Sequence, residues 1–146
     1  MSDRMVVVLD VGKTMAKASL WDSAGALVRR IVRPNARCFS GEYPALDAAG
    51  VEVWLGDALK QFAGLGNIGA IIPVAHGAAA AIVRDGALAA PPMDYEYEPS
   101  KEHREAYQRQ RDAFSHTGSP AMGLALNLGQ QLHCLEAIRP DLSSGD

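Results

Sequence analysis

The 146-residue sequence contains only two cysteines, Cys38 and Cys134, which is too few for a disulfide framework. It has no apolar run of about eighteen residues, so it predicts no transmembrane helix. It also has no excess of basic residues, because fourteen Lys and Arg face seventeen Asp and Glu and give a net charge of −3. Nucleic acid is therefore not an expected partner. The first apolar run is too short for a signal peptide, and we expect a reduced, cytoplasmic protein without membrane contact.

The pattern of apolar residues predicts one mixed α/β domain. Met5–Leu9 is a continuous, mostly β-branched run, which is typical of a central strand buried on both faces. Turn residues predict that residues 5–33 form three strands of a meander, and the apolar runs within residues 68–90 predict further buried strands. Helical spacing predicts helices over residues 52–63, 101–114 and 121–138, whereas residues 38–50 are expected to form a loop, with a helical turn as the alternative. Ser100 is a predicted N-cap, and Asp85-Gly86 is a predicted two-residue hairpin turn.

Two glycine motifs are excluded as nucleotide sites. Gly12-Lys13-Thr14 ends like a P-loop, but Val7 stands where that motif requires its first glycine. The glycines of residues 64–69 have dinucleotide-motif spacing, but they follow a predicted helix and precede a strand, which is the reverse of the required order. A flexible helix end explains them better.

The residues after the first strand are candidates for phosphate binding. Asp10 ends the strand, and Gly12, Lys13 and Thr14 follow it. Backbone donors with Lys or Thr side chains can hold phosphate, while a carboxylate positions Mg²⁺ through water. A plain hairpin turn with a strand-ending Asp explains the same pattern equally well.

Candidate hydroxyl-binding residues follow later strands. His76-Gly77 ends the predicted fourth strand, where α/β sheets usually place ligands, although a lone histidine is more often structural. Residues 94–98 are predicted to be extended, with Asp94, Glu96 and Glu98 on one side and Tyr95 and Tyr97 on the other. Such a surface suits hydroxyl binding, and a solvated acidic edge is the alternative. The remaining histidines show no metal-ligand spacing.

Residues 10–18, followed by Leu20-Trp21-Asp22 and Gly25, resemble the first phosphate motif of the FGGY-family sugar kinases of the actin and hexokinase superfamily. Asp10, Gly12, Thr14, Lys17 and Asp22 fall in register, whereas Lys13 replaces a usual Thr or Ser. The resemblance implies an α/β, ribonuclease H-like (actin-like ATPase) mixed sheet with flanking helices, present here in incomplete form. It also implies ATP and Mg²⁺ as cofactors, with Asp10 ordering the metal through water. Gly12, Lys13, Thr14 and Lys17 would form the phosphate turn.

A second region, over residues 71–77, 85–86 and 92–96, is similar to the substrate block of the same family. This likeness implies that His76, Gly77, Asp94, Tyr95 and Glu96 contact a sugar. Pro92-Met93 replaces the family's Trp-Asn, so the identity of the sugar does not carry over. Residues 128–132 fall where the family has a helix under this site.

The resemblance covers the first part of the family's N-terminal domain. It implies that the catalytic base, an Asp, and the adenosine-binding domain lie beyond residue 146, and that this chain alone is inactive. We therefore expect the parent protein to be an ATP-dependent carbohydrate kinase with a small sugar as partner. A homodimer is among the open oligomeric states. The alternatives are a non-catalytic half-domain that binds a sugar or a protein, and a phosphohydrolase of the same superfamily.

Overall fold

The computed structural model describes residues 4–142, which form two compact units. The first unit contains the residues up to Ala36 together with Asp47–Gly77, and the second contains Arg37–Leu46 together with the residues from Ala78 onward. In chain order the elements are β1 (Arg4–Val11), β2 (Met15–Trp21), β3 (Leu27–Pro34), β4 (Arg37–Phe39), β5 (Pro44–Leu46), α1 (Ala48–Ala63), β6 (Asn67–Ala75), β7 (Val83–Arg84), β8 (Ala87–Leu88), α2 (Lys101–Gln110), α3 (Phe114–Thr117), α4 (Leu128–Ile138) and a 3₁₀ turn (Pro140–Leu142).

The first unit is built on a four-stranded sheet of order β3-β2-β1-β6. The meander of β1, β2 and β3 is antiparallel, whereas β6 pairs with β1 in parallel. α1 supplies the crossover that a parallel pair requires. The predicted mixed α/β sheet is confirmed.

The core of the first unit lies between the sheet and α1. Val7 and Leu9 of β1 project from the same face, because side chains alternate along a strand. Together with Ala18 and Leu20 of β2, they form one cluster with Ala58 and Phe62 of α1. Only one face of β1 is thus fully buried, since Val6 and Val8 stay partly exposed. The expectation that both faces of this strand are buried is wrong.

α1 begins at Ala48, earlier than the predicted start near residue 52. Asp47 is its N-cap, and the Asp47 carboxylate accepts a 3.0 Å hydrogen bond from the backbone N–H of Gly50. A side-chain acceptor at this position satisfies one of the unpaired N–H groups of the first turn. The cap therefore adds a turn that the apolar spacing did not reveal.

β6 lies at an edge of the sheet instead of inside it. The exposed fractions of Ile71, Ile72 and Val74 are 48%, 48% and 50%. The sequence predicted a buried strand from its continuous apolar run. Such a run does not show whether the strand has one neighbouring strand in the sheet or two. Strand order, which depends on tertiary pairing, decides the exposure.

The second unit contains two short hairpins. β4 and β5 form an antiparallel pair where the sequence predicted a loop, and Ala45 of β5 makes a further bridge to Met93. β7 and β8 form the second hairpin, in which Asp85 (φ 51°) and Gly86 (φ 77°) both have positive φ. This confirms the predicted two-residue turn. The strand predicted over residues 79–84 is reduced to Val83–Arg84.

The core of the second unit joins these hairpins to the C-terminal helix. Its buried members are Tyr43, Ala45, Ala90, Met93, Ala125, Cys134, Leu135 and Leu142. The fully buried Tyr43 donates a 2.9 Å hydrogen bond from its hydroxyl to the carbonyl oxygen of Pro91. The phenol hydroxyl therefore has a hydrogen-bond acceptor although the ring lies inside an apolar cluster.

The helices of the second unit are shorter than predicted. Ser100 caps α2 and accepts from the N–H of His103 at 3.2 Å, which confirms the predicted N-cap. α2 ends at Gln110 and α3 is separate, so residues 101–114 are not one helix. α4 begins at Leu128 instead of residue 121, because the Asn127 side chain accepts from Met122 N (2.8 Å) and donates to Pro120 O (3.0 Å). These bonds compete with helix formation.

α1, with 16 residues, is the longest helix between residues 4 and 142. Over that range no helix combines the length and the apolar character that crossing a membrane requires.

Candidate functional site

Asp10 and Lys17 lie opposite each other in the β1–β2 ladder, on the two sides of the predicted phosphate turn. Lys17 Nζ donates to Asp10 Oδ2 at 3.2 Å, and the two side chains are 42% and 49% exposed, respectively. An ion pair this exposed contributes about 0–1 kcal/mol. It therefore opposes only weakly the approach of another charged group to Asp10 or Lys17.

The turn of residues 12–14 is held in shape by backbone and side-chain hydrogen bonds. Gly12 N donates to Met15 O at 3.0 Å, and Asn35 N donates to Thr14 O at 2.9 Å. The Asn35 side chain also donates from Nδ2 to Gly12 O at 2.7 Å. A Cβ on Gly12 would lie 3.0 Å from Met15 O, which is tighter than ordinary packing. The turn therefore has a fixed form and little room for a side chain at position 12.

Asn35 is a residue that the sequence analysis missed. Its contact with Gly12 spans 23 positions in the chain. The one available signal was an asparagine directly after the strand-ending Pro34, a typical turn residue whose side chain bonds nearby backbone.

Arg33 connects Asn35 to the start of α1. Arg33 Nη1 donates to Asn35 Oδ1 at 2.6 Å, and Arg33 Nη2 forms a short ion pair with Asp47 Oδ2. The hydrogen bond from Arg33 is the main reason that the pKa of Asp47 lies below its usual value. Asp47, Arg33, Asn35 and Gly12 therefore form one chain of hydrogen bonds within the first unit.

His76 and Gly77 lie beside the phosphate turn. β1 and β6 run parallel with Val11 opposite Ala75, so their carboxyl ends meet at the same edge of the sheet. His76 N donates to Val11 O at 3.4 Å. Ligands of open α/β sheets bind beyond the carboxyl ends of the strands. The first unit thus brings together two parts of the predicted site that are about 60 residues apart in the sequence.

Asp94 is buried in the second unit, with 2% of its surface exposed. Asp94 Oδ1 accepts from the N–H of Glu96 at 2.8 Å, and Asp94 Oδ2 lies 3.6 Å from Nε of Arg37. Arg37 Nη2 also donates to Glu96 Oε2 at 2.5 Å. One guanidinium group therefore faces both carboxylates, which compensates their mutual repulsion.

Residues 94–97 form a turn, closed by a 2.8 Å hydrogen bond from Tyr97 N to Asp94 O. The predicted extended segment with three carboxylates on one side is therefore wrong. Asp94 is buried, Glu96 and Glu98 are exposed, and Tyr97 packs against the core, where burial raises its pKa. The physical reason is that the Asp94 carboxylate bonds to the backbone two residues ahead, which favours a turn over an extended strand.

Gln131 is a second residue that the sequence analysis did not identify as important. It is fully buried in the second unit, and its Nε2 donates to Ala78 O at 2.5 Å and to Ala125 O at 2.7 Å. Ala125 N in turn donates to Tyr95 O at 3.1 Å. Gln131 therefore fixes the segment after Gly77 and the segment beside Tyr95 to α4.

The predicted site residues fall into two groups. In the first unit lie Asp10, Gly12, Lys13, Thr14, Lys17, His76 and Gly77, and in the second unit lie Asp94, Tyr95 and Glu96. Between residues 4 and 142 there is no cluster of three or more His, Cys, Asp and Glu side chains placed to hold a metal ion.

The chain is similar over nearly its whole length to a solved structure. A carbohydrate kinase from Novosphingobium aromaticivorans is 40% identical to it, with a TM-score of 0.87, over 97% of this chain and 30% of that kinase. The solved structures that this chain resembles are FGGY-type carbohydrate kinases. This confirms the family predicted from residues 10–25, and the actin-like ATPase fold class with it.

Two further carbohydrate kinases share the fold at lower identity. A xylulose kinase from Rhodospirillum rubrum is 19% identical with a TM-score of 0.70, over 95% of this chain and 30% of that one. A glycerol kinase from Plasmodium falciparum is 11% identical with a TM-score of 0.62, over 96% of this chain and 30% of that one. The chain thus spans about 30% of the length of each of these kinases. No protein-family model and no curated protein matches it.

Proposed function

We propose that the parent protein transfers a phosphoryl group from ATP to a sugar hydroxyl, and that this chain supplies the phosphate turn and part of the sugar site. The observation that carries the proposal is the braced turn after Asp10, in a chain 40% identical to a carbohydrate kinase. Phosphoryl transfer depends on positioning and charge stabilisation more than on covalent chemistry from the protein. A turn of fixed form next to the end of a parallel strand suits that requirement.

Asp10, Gly12, Lys13 and Thr14 are the residues that we assign to the nucleotide phosphates. Gly12 presents backbone without a side chain, and Thr14 is exposed at the turn. The weak ion pair with Asp10 leaves Lys17 able to exchange its partner for a phosphate.

A magnesium ion fits the donor chemistry at Asp10. Mg²⁺ keeps several waters and is usually held by one or two carboxylates plus substrate phosphates, so the single half-exposed Asp10 carboxylate is sufficient. When bound, Mg²⁺-ATP supplies the phosphoryl group and neutralises its charge. Asp10 would hold the ion through water.

For the sugar we propose contacts from His76, Gly77, Tyr95 and Glu96. Asp94 has almost no exposed surface, and its carboxylate is already bonded to the backbone of Glu96 and faces Arg37. We therefore assign Asp94 a positioning role, in which it fixes the turn that carries Tyr95 and Glu96.

A cytoplasmic location follows from the same proposal. No disulfide joins Cys38 and Cys134, which suits a reducing compartment.

The test is a coupled assay of ADP release with the protein isolated from its source cells, after its intact mass has been measured. A panel of pentoses, hexoses, deoxy sugars and polyols should reveal at least one sugar that stimulates ADP release. In the same protein, Asp10→Asn should lower the rate about tenfold or more, since it weakens the hold of residue 10 on the water shell of Mg²⁺. Asp57→Asn, which changes an exposed carboxylate of α1, is the matched control and should leave the rate unchanged.

The alternatives predict different results in the same assay. ADP release that no sugar stimulates would indicate a phosphohydrolase. Sugar binding by calorimetry without any effect of nucleotide would indicate a binding domain. Residues 1–146 alone should show no sugar-dependent turnover, and a rate typical of kinases from this chain alone would contradict our assignment of the catalytic base to another segment.

A further inference from the structure

A cavity of about 570 Å³ lies beside α2 and α4, and all of its lining residues belong to the second unit. Its volume is within the range of small-molecule sites, about 300–1,000 Å³. None of the residues proposed above for phosphate or sugar lines it. The cavity is therefore a separate feature of the fold.

Most of the cavity wall is apolar. Ile82, Leu132, Leu135 and Leu142 contribute aliphatic side chains. Tyr107 and His133 add two rings whose centroids lie 6.1 Å apart at an interplanar angle of 44°. The wall therefore favours a ligand with an apolar body.

Gly129 leaves room for the Tyr107 ring, which forms part of the cavity wall. A Cβ on Gly129 would lie 2.9 Å from Oη and 3.2 Å from Cε2 of Tyr107. The tyrosine ring thus packs directly against the backbone of α4.

Arg111 provides a charged donor at the cavity. Its Nη2 donates to Ser119 O at 2.6 Å, and its guanidinium carbon lies 5.7 Å from the centroid of the Tyr107 ring. These two contacts fix the guanidinium group. Its Nη1 is buried and has no hydrogen-bond partner, so an acceptor reaches it only when a neighbouring side chain moves aside. A buried donor without an acceptor is costly, and more so when it is charged.

We propose that this cavity binds a small monocarboxylate with an aromatic or branched aliphatic body, whose carboxylate accepts from Arg111. The apolar body would lie against the leucines and the two rings. Glu136 also lines the cavity and is exposed, so a second carboxylate on the ligand would be repelled. The inference does not depend on the proposed phosphorylation of sugars.

The experiment is a titration of the full chain with benzoate and isovalerate, followed by calorimetry and by NMR of the His133 ring. Both compounds should bind and shift the His133 signals, whereas benzyl alcohol, which lacks the charge, and glucose should bind far more weakly. Arg111→Gln should weaken benzoate binding about tenfold, the value of one charge-assisted hydrogen bond. Arg109→Gln, in the last turn of α2 and outside the cavity lining, is the matched control and should bind as the unchanged chain does.

A second variant covers the case in which Arg111→Gln fails to fold. Leu132 is 45% exposed, so Leu132→Glu should preserve the fold, as judged by circular dichroism, while it places a negative charge at the cavity. It should abolish benzoate binding. The proposal is overturned if neither carboxylate binds the unchanged chain, if benzyl alcohol binds as tightly as benzoate, or if Leu132→Glu or a folded Arg111→Gln retains full affinity.

Discussion

The side-chain amide of Asn35 donates to the carbonyl oxygen of Gly12 at 2.7 Å, and this bond joins the end of β3 to the turn after β1. The same asparagine accepts from Arg33 at 2.6 Å. The position of the candidate phosphate turn therefore depends on a side chain outside the motif that predicts it.

Asn35→Ala should reduce the free energy of unfolding by about 1–3 kcal/mol, because it removes both the donor to Gly12 O and the acceptor of the Arg33 hydrogen bond. Urea denaturation is the measurement. Asn35→Asp keeps an acceptor for Arg33 but cannot donate to Gly12, so it separates the two bonds. Equal stability of the alanine variant and the unchanged chain would contradict a bracing role.

Asp47 should make the stability of the first unit depend on pH in the acid range. The hydrogen bond from Arg33 holds the pKa of Asp47 below its usual 3.8 in the folded chain. A carboxyl group whose pKa is lowered by folding stabilises the fold above its unfolded pKa, and that contribution is lost as the pH falls through the folded value. The stability difference between the unchanged chain and Asp47→Asn should therefore be large at pH 7 and shrink below pH 3.8. Asp57→Asn is the exposed control, and a difference that does not vary with pH would exclude this linkage.

Phe62 should be essential for the core of the first unit. It is fully buried between α1 and the sheet, so Phe62→Ala should cost about 3–5 kcal/mol of unfolding free energy. Both tryptophans, Trp21 and Trp54, lie in the first unit, so their fluorescence reports its unfolding. Val53→Ala, at a position 68% exposed on the same helix, should change the midpoint little. Similar effects of the two substitutions would show that α1 does not pack as described.

Cys134 should resist alkylation in the folded chain. Burial raises the pKa of its thiol to about 11, so little thiolate forms at pH 8. Mass spectrometry after iodoacetamide treatment should find Cys134 modified only when denaturant is present. Rapid labelling without denaturant would mean that the core of the second unit opens readily.

The features that local rules govern could be predicted from the sequence. The paired positive φ angles of Asp85 and Gly86 require only that these two residues suit a tight turn. The cap at Ser100 likewise depends on a hydroxyl placed just before a helix. The motif from Asp10 to Asp22 was recognisable because its residue types and spacing lie within one hairpin.

Two loops were not predicted from the sequence, because a polar side chain bonds to the backbone there. Helical spacing predicted a helix from residue 121, but the side chain of Asn127 bonds to the backbone of the preceding residues and holds them as a loop. Alternation predicted an extended segment at residues 94–98, but Asp94 closes a turn there. In both places a polar side chain bonded to the backbone outweighs an apolar or alternating pattern.

Residue types close together in the chain were enough to predict the resemblance to carbohydrate kinases and the candidate residues of the turn after β1. Tertiary packing, in contrast, places β6 at the edge of the sheet and buries Asp94 beside Arg37. It also decided that Asn35 reaches Gly12 across 23 positions. The reason is physical: burial, ion pairing and hydrogen bonding depend on which distant segments pack together, and no local pattern specifies that choice.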